Sequence, residues 1–358
     1  MRGGTVSWSV QFRSLSILTN KHSYGVQKMK DEQPKVSIII LSFNQEQYLE
    51  QAILSAVNQT YKNIEIIISD NGSTDSSKSI ARNYRDKDHR VIFLDHQENL
   101  SISLRQNQAL QESSGMFIST LYGDDFYMPN KIEAQIASFS SLSGEWGVVH
   151  GPGSQLHELT GKTTHLPATA AHGSCLKKLF LDYTDGFLVP ISPLVRRSVL
   201  LEFPLYEDMF SEGESVYWRI ATKYKFFYSD TPLVVMRYHS KNMGKTIRRN
   251  MDMHLTCLDR LQDSAYFTND FIPHLNHYKS HIIFSNAWHC LRVNFEVNWA
   301  KKLIVNFIKL CPRALLNYKY QIALIFCLLP ARVLVPLNKV LNYIFNKKHF
   351  SPLEEYYD

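Results

Sequence analysis

Two adjacent carboxylates, Asp124 and Asp125, follow the apolar run Met116–Leu121 and Gly123, and they precede Pro129. Neighbouring side chains in an extended segment point to opposite sides, so the pair suits two tasks rather than one. One carboxylate can ligate a hard divalent cation whose other ligands are substrate phosphates. The second can accept hydrogen bonds from a sugar or a ribose. A plainer alternative stands beside this: two turn or capping acids ahead of a helix opened by Pro129. The hexapeptide Asp70-Asn71-Gly72-Ser73-Thr74-Asp75 leaves the same choice open. It is either a simple turn with an N-cap, or a strand-end carboxylate able to accept the imide N–H of a uracil, with hydroxyls beside it that suit ribose. The patterns G-x-G-x-x-G, G-x-x-x-x-G-K-[ST] and G-x-S-x-G are absent, which argues against a dinucleotide fingerprint, a P-loop and a nucleophile elbow.

The elements that must position these residues alternate between strand and helix. Val36–Leu41 is a continuous apolar run, the pattern of a strand buried on both faces of a parallel sheet. After Ser42-Phe43-Asn44, the stretch Glu46–Gln59 places Leu49, Ile53, Leu54 and Val57 on one helical face. A second buried strand, Ile64–Ser69, leads into Asp70 and a helix over Ser76–Tyr84. Strand Val91–Leu94, a helix over Ile102–Gln111, strand Met116–Leu121 and an amphipathic helix from Pro129 to Phe139 follow. This order predicts an α/β domain with a mainly parallel sheet, and such sheets bind ligands beyond the carboxyl ends of their strands. The polar clusters 42–44, 70–75 and 123–125 all fall at such ends. Between residues 151 and 173 the pattern reads as loop, and it returns at Val195–Leu201, Ser215–Lys223, Phe226–Tyr228 and Leu233–Tyr238. After Lys245 the reading is helical.

Composition narrows the classes. At 358 residues, with 44% hydrophobic and 20% charged residues, the chain is an ordinary globular protein with one large domain and an appendage. The net charge of +6 is concentrated: between residues 300 and 350 there are nine Lys or Arg and no Asp or Glu. That asymmetry points to a local anionic partner, not to nucleic acid along the whole chain. Five scattered cysteines fit neither a zinc site nor a disulfide framework and do fit a reducing cytoplasm. Residues 1–28 carry no signal-length apolar core, and Met29 is the expected native start.

The segment VSIIILSFNQEQYLEQAILSAVNQTYKNIEIIISDNGSTD, followed by GDDFYMPNKIEAQ, resembles the N-terminal half of family 2 glycosyltransferases, which have the GT-A fold. The similarity runs through about 110 residues, its motifs in order. Looser similarities are Phe187–Ser192 with Val195-Arg196-Arg197 (acceptor side), Glu212–Arg219 (acidic catalytic-helix motif), and Met236–His239 with Asn242 (terminal Tyr-Arg-x-His segment). The resemblance implies nucleotide contacts from Ser42, Phe43 and Asn44, with Glu46 near the ribose or base and Asp70 holding the base. It implies that Asp124 binds ribose or donor sugar, that Asp125 ligates Mn²⁺ or Mg²⁺, and that Arg219 and His239 support the phosphates or the metal. A carboxylate would take the proton of the acceptor hydroxyl, giving in-line displacement with inversion.

Three positions depart from the family pattern. Glu212-Gly213 stands where Glu-Asp is usual and the Asp is the expected base, so Glu212 or Glu214 would have to substitute. Tyr122 replaces an acid, and Ser101 replaces a loop glycine. The expected organisation is therefore an extension over 1–33, a GT-A domain over 34–244 and a basic helical region over 245–358. The implied function is an inverting, metal-dependent transfer of a sugar, UDP-linked, to a lipid-linked or polysaccharide acceptor. A non-catalytic nucleotide-sugar-binding protein is the alternative from a different class. A nucleotidyltransferase is disfavoured, because no Gly-rich loop with a basic residue follows the first strand. Ile322–Ala331 is too short to span a bilayer, so the tail is expected to lie on the anionic cytoplasmic face of a membrane. The alternatives for it are a helical subdomain or a dimer contact.

Overall fold

The computed structural model describes residues 33–166, 170–184, 191–239, 242, 247–291, 297–312, 316, 318–330, 332–333, 336–337 and 340. The chain before residue 33, including Met29, and Phe187–Pro190 of the acceptor-side segment lie outside the described residues. A seven-stranded sheet forms the centre, in the order β10-β6-β9-β4-β1-β2-β3. Its strands are β1 (Val36–Ser42), β2 (Ile64–Asp70), β3 (Val91–Asp95), β4 (Phe117–Tyr122), β6 (Trp146–Gly151), β9 (Ile191–Arg196) and β10 (Lys225–Tyr228). Every residue of β1 and β2 is buried, as their Ile-rich centres require of central parallel strands. Only β9 runs antiparallel to its neighbours, β4 and β6.

Helices α1 (Leu49–Val57), α2 (Ser77–Lys87), α3 (Ile102–Glu112) and α4 (Lys131–Phe139) follow β1, β2, β3 and the 123–130 segment. They match the expected elements to within a few residues at either end. The 151–173 region differs from the expected loop. It holds β7 (Gly153–His157) and β8 (Thr163–Leu166), which join β5 (Phe126–Tyr127) and β11 (Val234–Tyr238) in a second sheet ordered β5-β11-β7-β8. The sequences GSQLH and TTHL lack the apolar alternation that marks a half-buried strand. β7 is held by β11, distant in sequence, and β8 by its hairpin partner β7.

At the amino-terminal edge of the sheet, Glu65 latches three strands. Its carboxylate accepts hydrogen bonds from Ser37 Oγ (2.5 Å), Ser114 N (2.6 Å) and Ser114 Oγ (2.8 Å), and it pairs with Lys35 (2.5 Å). Burial pushes its carboxyl up, but the hydrogen bonds from Lys35, Ser37 and Ser114 outweigh it and hold the pKa at about 2. Stability from this latch is therefore present above the ordinary pKa of 4.5 and is lost as pH falls towards 2. Replacing Glu65 by Ala strands buried N–H donors and should cost roughly 1–3 kcal/mol. Urea unfolding between pH 6 and pH 2.5 checks this, with Glu65→Gln expected to flatten the acid limb.

The C-terminal helices share the main core. Leu258 of α8 (Ile247–Gln262), Tyr278 of α9 (Ile272–His289), Ile304 of α10 (Val297–Leu310) and Phe326 of α11 (Tyr318–Leu328) belong to one buried cluster with Ile39, Leu41 and Ile118 of the sheet. An apolar core thus runs across the boundary expected at 244. The cysteines are free, four of them buried and Cys311 half-buried. Among the described residues, no helix is long and apolar enough to cross a membrane.

Candidate active site

β1 lies between β2 and β4 in parallel register, with Ser42 opposite Asp70 and Leu41 opposite Tyr122. Beyond the ladder, Asn71 N–H donates to Ser42 O (2.8 Å) and Gly123 N–H to Leu41 O (2.9 Å). The three polar clusters therefore leave the sheet side by side. One strand separates Asp70 from Asp124, so their backbones stand about 10 Å apart, two strand spacings. One extended ligand can touch both.

The loops after β1 and β2 are zipped together. Asn44, at a φ of 51°, donates its N–H to Ser73 Oγ (2.8 Å) and accepts from Thr74 N–H on Oδ1 (2.8 Å). Short amide side chains tolerate this left-handed backbone better than most. Glu46 N–H donates to Asp75 Oδ2 (3.0 Å), and Ser76 N–H donates back to Glu46 Oε2 (2.9 Å). The carboxylate of Asp70 is 0% exposed and accepts from Ser73 N–H (2.8 Å) and Ser73 Oγ–H (2.6 Å). Burial pushes its pKa up against the pull of those hydrogen bonds. Gly72, at a φ of 79°, has no room for a Cβ, which would sit 2.7 Å from the Glu98 carbonyl carbon. The side chains of Asn44, Glu46 and Asp70, all expected to contact the nucleotide, thus brace the loops here. What faces outward is Phe43, 40% exposed. Beneath it, Ser42 Oγ and Gln45 Oε1 are buried with no hydrogen-bond partner among the described residues. Polar atoms orphaned at a strand-end rim are what a bound polar ligand would satisfy.

The acidic pair separates as its alternation predicts, into different surroundings. Asp125, expected to ligate the metal, is 8% exposed and accepts from Arg237 N–H on Oδ1 (2.8 Å). Burial, then the charge of Asp124, raises its pKa well above the usual carboxylate range. Asp124 instead meets His239, with Nε2 to Oδ2 at 3.1 Å. A carboxylate and an imidazole this close form an N/O donor pair of the kind Mn²⁺ accepts. Among the described residues no third His, Cys, Asp or Glu joins them. The pair therefore fits a cation that takes its remaining ligands from phosphate oxygens and water.

Tyr48 and Arg237 build the wall behind this pair, and sequence reasoning missed both. The Tyr48 ring stacks on His239 (centroids 4.9 Å, 25°), and the Arg237 guanidinium lies 4.9 Å from the Tyr48 centroid. Tyr48 Oη–H donates to Glu158 at 2.6 Å, tying the stack to the β7–β8 hairpin. Arg237 Nε–H donates to Asp124 O (3.0 Å). The alternation of β11, which sets Arg237 between Met236 and Tyr238, was the available signal. For Tyr48 there was none, since its partners are 110 and more residues away.

Glu212 and Arg219, expected as base and phosphate ligand, are paired with each other. Arg219 grips Glu212 in a fork, Nε to Oε1 at 2.7 Å and Nη2 to Oε2 at 2.8 Å, and Tyr206 N–H adds a third hydrogen bond (2.8 Å). Burial pushes the Glu212 carboxyl up, and Arg219 opposes this. Carboxylate and guanidinium thus occupy each other in a bidentate, charge-assisted pair. The adjacent Gly213 has a φ of 55°, and a Cβ there would meet only Ser211 Oγ, at 3.7 Å. Glu214 lies in the single 3₁₀ turn Gly213–Ser215, and its side chain is outside the described residues. Ser215 ends that turn, and its Oγ lies 3.1 Å from His254 Nδ1, whose Nε2 meets Tyr278 Oη at 2.7 Å. Burial lowers the His254 pKa to about 4, so this link is a neutral hydrogen-bonded chain from the turn into α8 and α9.

The central mainly parallel sheet, its flanking helices and the acidic strand-end rim define the GT-A glycosyltransferase fold. The solved structure of Staphylococcus aureus TarS 1–349 in complex with UDP-GlcNAc superposes with a TM-score of 0.58 at 14% identity, covering 77% of this chain and 81% of that one. The mannosyltransferase PcManGT from Pyrobaculum calidifontis, in complex with GDP-Man and Mn²⁺, superposes at 0.54 and 14% identity, covering 92% and 98%. Residues 37–201 match the family model described as Glycosyl transferase family 2. An uncharacterised glycosyltransferase of Rickettsia bellii is 30% identical over 226 residues, 62% of this chain and 32% of the relative. The chain spans between 32% and 41% of the length of this and two further relatives, from Rickettsia felis and Haemophilus influenzae.

Proposed function

We propose that the chain transfers a sugar, with inversion, from a nucleotide diphosphate sugar to a hydroxyl of a lipid-linked or polysaccharide acceptor. The observation that carries this reading is the rim itself: Phe43 and the orphaned Ser42 hydroxyl on one side, and the Asp124–His239 pair one strand further on. Phe43 stacks on the base, and Ser42 receives or donates the hydrogen bond it lacks. Asp124 and His239 would hold Mn²⁺ or Mg²⁺, which would supply positive charge against the diphosphate leaving group. Arg237 fixes Asp124 through its carbonyl, and Tyr48 fixes the plane of His239. UDP is the proposed nucleotide.

With Glu212 closed by Arg219, Glu214 is the remaining candidate for the base. Gly213 favours a second reading, a nucleotide-sugar-binding protein without turnover. One experiment separates them. Thermal shift with UDP-GlcNAc, UDP-glucose and GDP-mannose, with and without Mn²⁺, should give a metal-dependent rise in Tm with at least one donor. No rise with any of them would reject both readings. A rise together with donor turnover that falls in Glu214→Gln supports transfer; a rise without turnover supports the binding protein.

The basic C-terminal region is proposed to rest on anionic lipid at the cytoplasmic face of a membrane. Ile322, Ile325 and Leu328 of α11 are 41%, 57% and 80% exposed at every third position. The charge between residues 300 and 350 is wholly positive.

A further inference from the structure

Away from the rim, a cleft of about 420 Å³ opens between the segment after helix α6 (Arg197–Glu202) and the C-terminal end of α8. Its walls include Phe203, Tyr206, Arg260, Asp263, Ser264 and Tyr266, and Arg219 forms its floor. Arg219, which lines it, is paired with Glu212, and none of the rim residues Ser42, Phe43, Asp70, Asp124 or His239 lines it. Its volume falls in the range of small-ligand sites, roughly 300–1,000 Å³.

The chemistry of the walls selects the ligand. Tyr266 presents an aromatic ring that is 42% exposed yet anchored: its Oη–H donates to Glu202 (3.0 Å) and accepts from Lys223 (3.1 Å). Around it, Tyr206 Oη, the Asp263 carboxylate and Ser264 Oγ meet no hydrogen-bond partner among the described residues. The guanidinium groups are not available to an anion. Arg219 is forked to Glu212, and Arg260 is forked to Asp208 at 2.9 and 2.5 Å. Glu202 is paired with Lys223, whose ammonium lies 4.6 Å from the Tyr266 ring centroid, so Asp263 is the unpaired charge facing the cleft and a phosphate or a sulfate would meet it without a free cation. An apolar ligand would bury three unsatisfied polar groups, each at a cost. A fixed ring beside hydroxyl and carboxylate groups suits an uncharged sugar: its C–H face packs on the ring, and its hydroxyls bond the polar groups around it.

We propose that this cleft is a second saccharide site, binding a neutral sugar unit of the glycan away from the reacting hydroxyl. The choice of a glycan rests on the transfer function proposed above. The cleft shares no side chain with the donor rim, so free sugar binds without donor or metal, and failure of the donor experiment leaves this test intact.

Saturation-transfer NMR on the full chain with millimolar D-glucose, D-galactose or N-acetyl-D-glucosamine tests it. At least one sugar should receive saturation. Tyr266→Ala should weaken that binding by about fivefold, the order expected of one lost ring contact, and Asp263→Ala should weaken it as well. Both variants should keep the Mn²⁺-dependent donor shift, and Asp124→Asn should keep the sugar signal. The proposal is overturned by no transfer to any of the three sugars, by transfer that survives both cleft substitutions, or by transfer that disappears in Asp124→Asn.

Discussion

Asp124→Asn should lower donor turnover by at least about a thousandfold, some 4 kcal/mol of barrier, while Asp125→Asn should cost far less. The ranking reverses what the order of the two acids suggests, and it follows from their surroundings. Asp124 faces His239 at 3.1 Å and its side chain is 15% exposed, so its carboxylate is the one of the two that a cation on the diphosphate would meet. Amide substitution removes that charge and keeps the shape. Asp125 is buried, and its surroundings favour the protonated form through desolvation and the neighbouring charge of Asp124. Its remaining task is to accept from Arg237 N–H, which an Asn oxygen can do. Turnover of UDP- and GDP-sugars in the two variants, with Mn²⁺ affinity read by titration calorimetry, checks the ranking. Equal losses in both, or a larger loss in Asp125→Asn, would reject the Asp124–His239 pair as the metal site.

Tyr48→Ala belongs with this result. It removes the ring stacked on His239 and the tether to Glu158 together. Weaker Mn²⁺ binding with an intact fold is expected, and Tyr48→Phe, which keeps the stack, should recover most of it.

What the sequence disclosed divides by range. β1 and β2 announce themselves because seven consecutive buried residues leave no alternation to misread. The rim follows from them, since a parallel strand must end somewhere and its end is where Ser42, Asp70 and Gly123 stand. The use made of each carboxylate was not legible. Whether Asp70 faces a ligand or Ser73, and whether Glu212 faces an acceptor or Arg219, depends on a side chain three or seven residues away turning back. Neither spacing is fixed by a regular element, so no periodicity reports it. Tyr48, Glu158 and His239 meet only because α1, the second sheet and the β7–β8 hairpin converge. β7 and β8 were themselves hidden by their polar composition.

Composition changes near residue 245 while packing does not: one buried cluster joins the sheet to the helices that follow. A chain ending at Lys245 should be insoluble or molten rather than a functional catalytic domain. Trp218 and Phe180 are each 1% exposed, and the ring that covers them, Tyr278, lies 5.6 and 5.5 Å away on α9. Removing α8–α11 also takes His254 from Ser215, Arg260 from Asp208 and Cys257 from Met209. Exposing the two large aromatic side chains costs roughly 2–3 kcal/mol apiece, and the orphaned Ser215 and other lost contacts add to that. The total is of the same order as the whole stability of a domain, about 5–15 kcal/mol. A basic region that merely tethers the enzyme to lipid would be dispensable for folding. One that closes the core, and holds the turn carrying Gly213 and Glu214, would not. Near-ultraviolet circular dichroism and dye binding on the refolded 1–245 chain decide between them. A cooperative melt within a few degrees of the full chain would show that the helices are an appendage after all.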